Sequence, residues 1–192
     1  MRAQYHHGDL RIAAAEEAFL QVEQSGAESV SLRGVARGVG VSHAAVYRHF
    51  TNKRALLGEV ARLGFVQLTT AVRRARERSP TPREGLIATA RAYVRFALSH
   101  PGLYQVMFGP RLEGETDEPA LISARRQAYA VVRDQLAAHN PDTADAQTIR
   151  VWALLHGFAE LVQVDRLGIG GATGADRFIP ELIGPILDAD LP

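Results

Sequence analysis

Apolar residues recur at helical spacing along almost all of this 192-residue chain, and no stretch sustains the apolar/polar alternation of an antiparallel sheet. The fold is therefore expected to be all-α. Ile12, Ala15, Phe19 and Val22 mark one stripe of a first helix over residues 10–24, which Ser25-Gly26 should end. Ser31 and Ser42 stand where N-caps belong, each before a short helical stretch, with residues 38–40 breaking the two apart. A longer helix is expected over residues 52–77.

Beyond it, Thr81-Pro82-Arg83-Glu84 combines a capping box with proline at the first helical position. The helix begun there carries Leu86, Ala90, Tyr93 and Ala97 on one face and should end at Pro101-Gly102. Residues 103–108 are a short apolar piece and 109–118 a polar loop. Two long helices over 119–138 and 142–166 are separated by Asn140-Pro141. Residues 168–174 read as a loop, and Pro180 and Pro185 are expected to kink or break a last helix over 176–189. The layout is a three-helix unit over residues 1–55, linked to a larger helical unit over 56–192.

Composition removes several functional classes. The 46% apolar content supplies a core. With no cysteine there is no disulfide, thiolate metal site or thiol nucleophile, which fits a reducing cytoplasm. The start lacks the apolar core of a signal peptide, and the longest apolar run, 151–164, is too short for a bilayer and contains His156 and Glu160. The chain reads as soluble and cytoplasmic, without a membrane partner. Residues 1–55 carry seven Lys/Arg against five Asp/Glu, and the remainder fifteen against sixteen, so any attraction to an anionic partner must come from placement.

That placement is best over residues 31–50. Two short helices across a glycine turn, with Ala36, Gly40 and Val46 small enough for a close crossing, make a helix-turn-helix. Its second helix would lie in the major groove of double-stranded DNA, with Ser42, His43, Ala44 and Ala45 at the end facing base edges. The plain alternative is a packed hairpin with Tyr47 and Phe50 inside and Arg33, Arg48 and Lys53 solvated.

The run Gly40-Val41-Ser42, Tyr47, His49-Phe50, Lys53 and Leu56, preceded by Gly26, Ser31-Leu32-Arg33 and Val35-Ala36, resembles the signature of the TetR family of regulators. Tyr5-His6-His7-Gly8-Asp9-Leu10-Arg11 and Trp152 with His156-Gly157 resemble the two ends of one subgroup. The resemblance implies phosphate contacts from Tyr47, His49 and Lys53, with Ser31 and Arg33 adding to them. It offers Ser42, His43, Ala44 and Arg48 for base or groove contacts. Arg54 stands where many members carry an acid. A basic cluster at Arg73, Arg74, Arg76 and Arg78 reads as a solvated face near a helix C-terminus.

In the second unit Tyr93, Phe96, Tyr104, Met107, Phe108 and Trp152, with His156 one turn beyond Trp152, fit either a filled core or a pocket for a small apolar or aromatic effector. Phe158 belongs to the same aromatic set. Along 142–166, Ile149, Trp152, Leu155 and Ala159 form one stripe, and Val151, Leu154, Phe158 and Leu161 another. The second stripe, with Phe178, Ile179, Leu182, Ile183 and Ile186, is expected to bury itself in a twofold homodimer. Such a dimer would set two recognition helices about 34–36 Å apart on a palindromic operator. Ligand preferring a wrongly spaced conformation would release DNA, as a repressor requires.

Two rival readings accompany this one. A regulator with a filled second unit would answer to a protein partner instead. A helical metal-dependent enzyme would start from His156 and Glu160, but two ligands on one helix make no site, and residues 168–174 lack the strand and the Lys-Ser/Thr of a phosphate loop. No catalytic residue, metal or cofactor is expected.

Overall fold

The computed structural model describes residues 7–109, 118–138 and 140–188, and all regular structure among them is helical. The elements are α1 (His7–Ser29), α2 (Leu32–Val39), α3 (His43–Tyr47), α4 (Lys53–Glu77), α5 (Pro82–Ser99), α6 (Pro101–Phe108), α7 (Pro119–Ala137), α8 (Ala144–Gln163) and α9 (Gly171–Asp188). Tyr5 and His6 of the N-terminal motif, and most of the expected loop over 109–118, lie outside the described residues.

Two compact units emerge, and their boundary is not at residue 55. The first comprises Met1–Gly64 and His100–Ser123, the second Phe65–Ser99 and Ala124–Pro192. The first half of α4 belongs to the first unit because Leu56, Leu57, Val60 and Ala61 are buried there. The piece around α6 joins the same unit through α1. A side-chain carbon at Gly102 would fall 2.6 Å from the Val22 carbonyl oxygen, so only glycine permits that approach. Glu23 then accepts the Leu103 N–H at 2.7 Å, satisfying a donor in the first turn of α6. By length and apolarity alone α4 is able to cross a membrane. Its apolar side chains are packed instead, Phe65, Leu68 and Val72 included.

α1 extends past its expected end, but Gly26 is non-helical at φ 75°, so the stop read from Ser25-Gly26 survives as a break within the helix. Asn52 caps α4 through the Ala55 N–H at 2.9 Å. Thr81 receives the Glu84 N–H at 3.3 Å and donates its hydroxyl to the Glu84 carboxylate at 2.8 Å.

In the second unit α5, α8 and α9 pack on one another around Leu86, Val94, Ala97, Val151, Leu155, Ile179 and Ile183, all buried. Ion pairs pin α5 to α9 near both ends: Arg83 to Asp188 at 2.7 Å, and Arg95 to Asp176. α9 begins at Gly171, five residues earlier than expected, and continues through both prolines without breaking. Proline at 180 deprives the Asp176 carbonyl of its helical donor; the Arg91 Nε–H points at that oxygen from 3.4 Å. Pro185 deprives the Glu181 carbonyl of its helical donor in the same way.

Candidate nucleic-acid interface and effector site

Short helices need caps more than long ones, since most of their backbone groups are terminal. Ser31, extended at φ −141°, accepts the Gly34 N–H at 3.0 Å and starts α2. Gly40, at φ 74°, ends it in the left-handed conformation while the Val41 N–H reaches back to the Ala36 carbonyl at 3.0 Å. Ser42 immediately caps α3 through the Ala45 N–H at 3.3 Å. Val35, Ala36, Ala45, Val46 and Phe50 are buried beneath the pair.

This packing decides which side chains remain outside. Ser31, Arg33, Ser42, Ala44, Tyr47 and Arg48 are exposed, and His43 and His49 half-buried. Of the two alanines on α3 only Ala44 faces solvent, so Ala45 is unavailable to bases. Sequence reasoning missed Arg37, exposed one turn after Arg33 on α2; the four-residue spacing from Arg33 was the signal that locates it. Arg33, Arg37, Arg48 and Arg54 pair with no acid among the described residues.

Lys53 is half-buried, and its Nζ donates to the Glu28 carbonyl at 2.7 Å, in the last turn of α1. A cation there complements the helix C-terminus and ties α4 to α1. Phe50, expected in the core, is buried and covered by the Arg11 guanidinium 5.2 Å from its ring centroid. Arg11 also bridges Glu59 at 3.2 Å and Glu118 at 2.8 Å, while Arg62 holds Glu59 from the other side at 2.7 Å.

The second unit encloses an apolar cavity of about 40 Å³, lined mainly by aliphatic side chains of α4, α5, α7, α8 and α9 together with Tyr93, Tyr129 and Trp152. Trp152 Nε1 donates to the Tyr93 hydroxyl at 3.2 Å, and that hydroxyl stands 3.2 Å from His156 Nδ1. Of the residues expected to hold effector, only Tyr93 and Trp152 line this space, with His156 one bond behind them. Phe96 is buried elsewhere in the second unit. Tyr104, Met107 and Phe108 lie in α6, in the first unit, where Tyr104 and Met107 are buried and the Tyr104 and Phe108 rings meet at 4.7 Å. Helical spacing showed these residues to be apolar faces and could not show which body each faces.

A second apolar space, an open groove of about 560 Å³, runs over α8, the following turn and α9. Leu154, Phe158, Leu161, Phe178 and Leu182, all expected at a dimer interface, line it, and Leu167 and Ile169 join them. Val151 and Ile183 do not; they are buried and line the inner cavity. Ile186 is half-buried outside both linings. Ile149, assigned to the inward stripe with Trp152, is 60% exposed. The buried residues of α8 from Thr148 on are Thr148, Val151, Leu155, Phe158, Ala159 and Val162, which draw on both stripes read from sequence.

Residues 12–60 match the family described as bacterial regulatory proteins of the tetR family, and residues 86–183 match the tetracyclin repressor-like C-terminal domain. The uncharacterised HTH-type transcriptional regulator YobS of Bacillus subtilis is 28% identical over 164 residues, 78% of this chain and 75% of that one. The HTH-type transcriptional regulator Rv1816 of Mycobacterium tuberculosis is 30% identical over 96 residues, 49% of this chain and 41% of that one. Among solved structures, a protein of unknown function from Rhodococcus sp. RHA1 superposes with a TM-score of 0.84 at 28% identity, covering both chains completely. The TetR-family regulator PfmR from Thermus thermophilus shares the fold at a TM-score of 0.66 and 21% identity, over 89% of this chain and 97% of that one. The chain belongs to the TetR family of bacterial transcriptional regulators.

Proposed function

We propose that this regulator is a cytoplasmic repressor that binds a palindromic DNA operator as a homodimer and leaves it when a small apolar molecule occupies the second unit. The observation that carries the DNA reading is the pair of capped short helices, α2 and α3, whose exposed Arg33, Arg37, Tyr47 and Arg48 have no acidic partner among the described residues. Cations and hydroxyls on the outer side of such a pair hold phosphates, and α3 reads base edges. Ser31, Ser42, His43, Ala44 and His49 complete the set assigned to DNA, together with Lys53, whose ammonium gives one of its three N–H donors to the Glu28 carbonyl.

The groove over α8 and α9 supports the dimer. A second copy related by a twofold axis would cover Leu154, Leu161, Phe178 and Leu182 with the same residues. α4 is one of three places where the chain passes between the units, and an event in the second unit reaches the DNA-reading unit along it. The narrowness of the inner cavity favours a second reading, in which the core stays filled and a protein partner supplies the signal. A cavity of about 40 Å³ is well below the roughly 300 Å³ of a drug-sized site.

Selection of bound DNA from a random pool at fixed salt tests the principal reading. The expected product is a palindrome whose half-sites lie one helical turn apart. Recovery of sequences with no shared half-site overturns it.

A further inference from the structure

The inner cavity offers nothing to balance a charge. Its lining contains no Asp, Glu, Lys, Arg or His; the polar members are Thr89, Thr148, Tyr93, Tyr129 and Trp152. Two of their protons are already committed. Thr148 donates to the Ala144 carbonyl at 2.7 Å, and the Trp152 indole N–H to Tyr93. The Tyr93 oxygen, which accepts that bond, also shares a hydrogen bond of 3.2 Å with His156 Nδ1. Thr89 receives the Gln135 amide at 3.4 Å. An ionised carboxylate here would lose its water and find no cation; an ammonium would find no anion.

The way in follows from exposure. Leu68, Leu86, Thr148, Ile183 and the other inner lining residues are buried, whereas Ala128, Tyr129 and Val132 on α7 and Trp152 on α8 keep contact with solvent. The Tyr129 and Trp152 rings meet across this gap at 5.7 Å, tilted by 43°. One turn nearer the α7–α8 connection, Arg133 bonds Asp145 at 2.7 Å and holds the two helices together. The cavity is smaller than the roughly 150 Å³ that accommodates benzene in a dry protein interior, so its lining must expand as a ligand enters.

We infer that the effector is an uncharged, largely apolar molecule that enters between α7 and α8 past Tyr129 and Trp152. This rests on the effector reading above and specifies its chemistry. Trp152 is the chain's only tryptophan, so its emission reports occupancy without a label.

The test titrates the intact protein with cyclohexylmethanol, cyclohexanecarboxylate and cyclohexylmethylamine at neutral pH, following Trp152 emission and melting temperature. The alcohol is expected to saturate and raise the melting temperature, with both ions at least about 100-fold weaker, the equivalent of roughly 2.7 kcal/mol. Val132→Lys, at the half-exposed mouth, is expected to admit the carboxylate, and Tyr129→Ala to speed association several-fold in stopped flow. Equal binding of the carboxylate, no gain in Val132→Lys, or an unchanged association rate in Tyr129→Ala overturns the inference while leaving the effector reading intact. Failure of all three probes to bind at millimolar concentration overturns the effector reading itself.

Discussion

The imidazole of His43 meets the ring of Tyr47 edge-on, with centroids 4.3 Å apart and planes inclined at 71°. One turn of α3 separates the two residues, so the contact is built into the helix. It restrains a Tyr47 side chain that is otherwise 45% exposed. Edge-to-face pairs contribute about 0.5–1.5 kcal/mol, and a restrained side chain loses less entropy on binding. His43→Ala is expected to weaken DNA binding about 3- to 10-fold across sequences, without changing its salt dependence, whereas a loss confined to particular bases would make His43 itself a base contact. Anisotropy titrations at several salt concentrations measure both; unchanged affinity would sever His43 from the function of Tyr47.

Arg33 and Arg37 present two cations on α2, and a phosphate contact by a cation releases counterions. Replacing either with alanine is expected to reduce the slope of log affinity against log salt by about one, with similar losses on all sequences. Arg48, exposed at the end of α3, is expected to differ. Its replacement should cost about 1–3 kcal/mol at one base pair of the half-site and little elsewhere. A uniform loss in Arg48→Ala would move it among the phosphate contacts.

Glu59 gives the first unit a pH dependence. Burial alone would raise its pKa, but hydrogen bonds from Arg62 and Arg11, reinforced by their charges, outweigh burial and hold the carboxyl below its ordinary range. A carboxyl depressed in the folded state stabilises the fold above its unfolded pKa, about 4.3, and that contribution disappears as pH falls through the lower folded value. Glu59→Gln is expected to cost about 1–3 kcal/mol at pH 7, and the gap to wild type should close on acidification below about pH 4. Urea midpoints between pH 7 and 3 check this. Parallel profiles for the two proteins would assign the acid sensitivity elsewhere.

The local signals in the sequence proved more legible than the global ones. Ser31, Ser42 and Gly40 announce α2 and α3 because each acts on backbone groups within four residues. Arg37 stands outside the family signature, so the resemblance does not point to it. Val151, Ile183 and Ile149 were misplaced for a different reason. α8 is apolar around much of its circumference, so spacing leaves open which stripe faces its own chain. In α9, the carbonyl that Pro180 leaves open is met by Arg91, 89 residues earlier in the chain. No local rule contains that contact.

The groove over α8 and α9 separates dimerisation from folding. Phe178 and Leu161 line it while remaining 39% and 45% exposed, so they contribute little to the core of their own chain. In a twofold dimer a charge at either position occurs twice and loses its water against an apolar surface. Phe178→Asp and Leu161→Asp are therefore expected to yield monomers of unchanged helix content, measured by light scattering and circular dichroism. Operator affinity should fall by more than about 100-fold, since each monomer then binds one half-site without the effective concentration supplied by its partner. Ile149→Asp is the control. Ile149 is 60% exposed on the same helix but does not line the groove, so this variant should remain a dimer and bind DNA normally. A dimeric Phe178→Asp protein, or a monomeric Ile149→Asp protein, would move the interface to another face of α8.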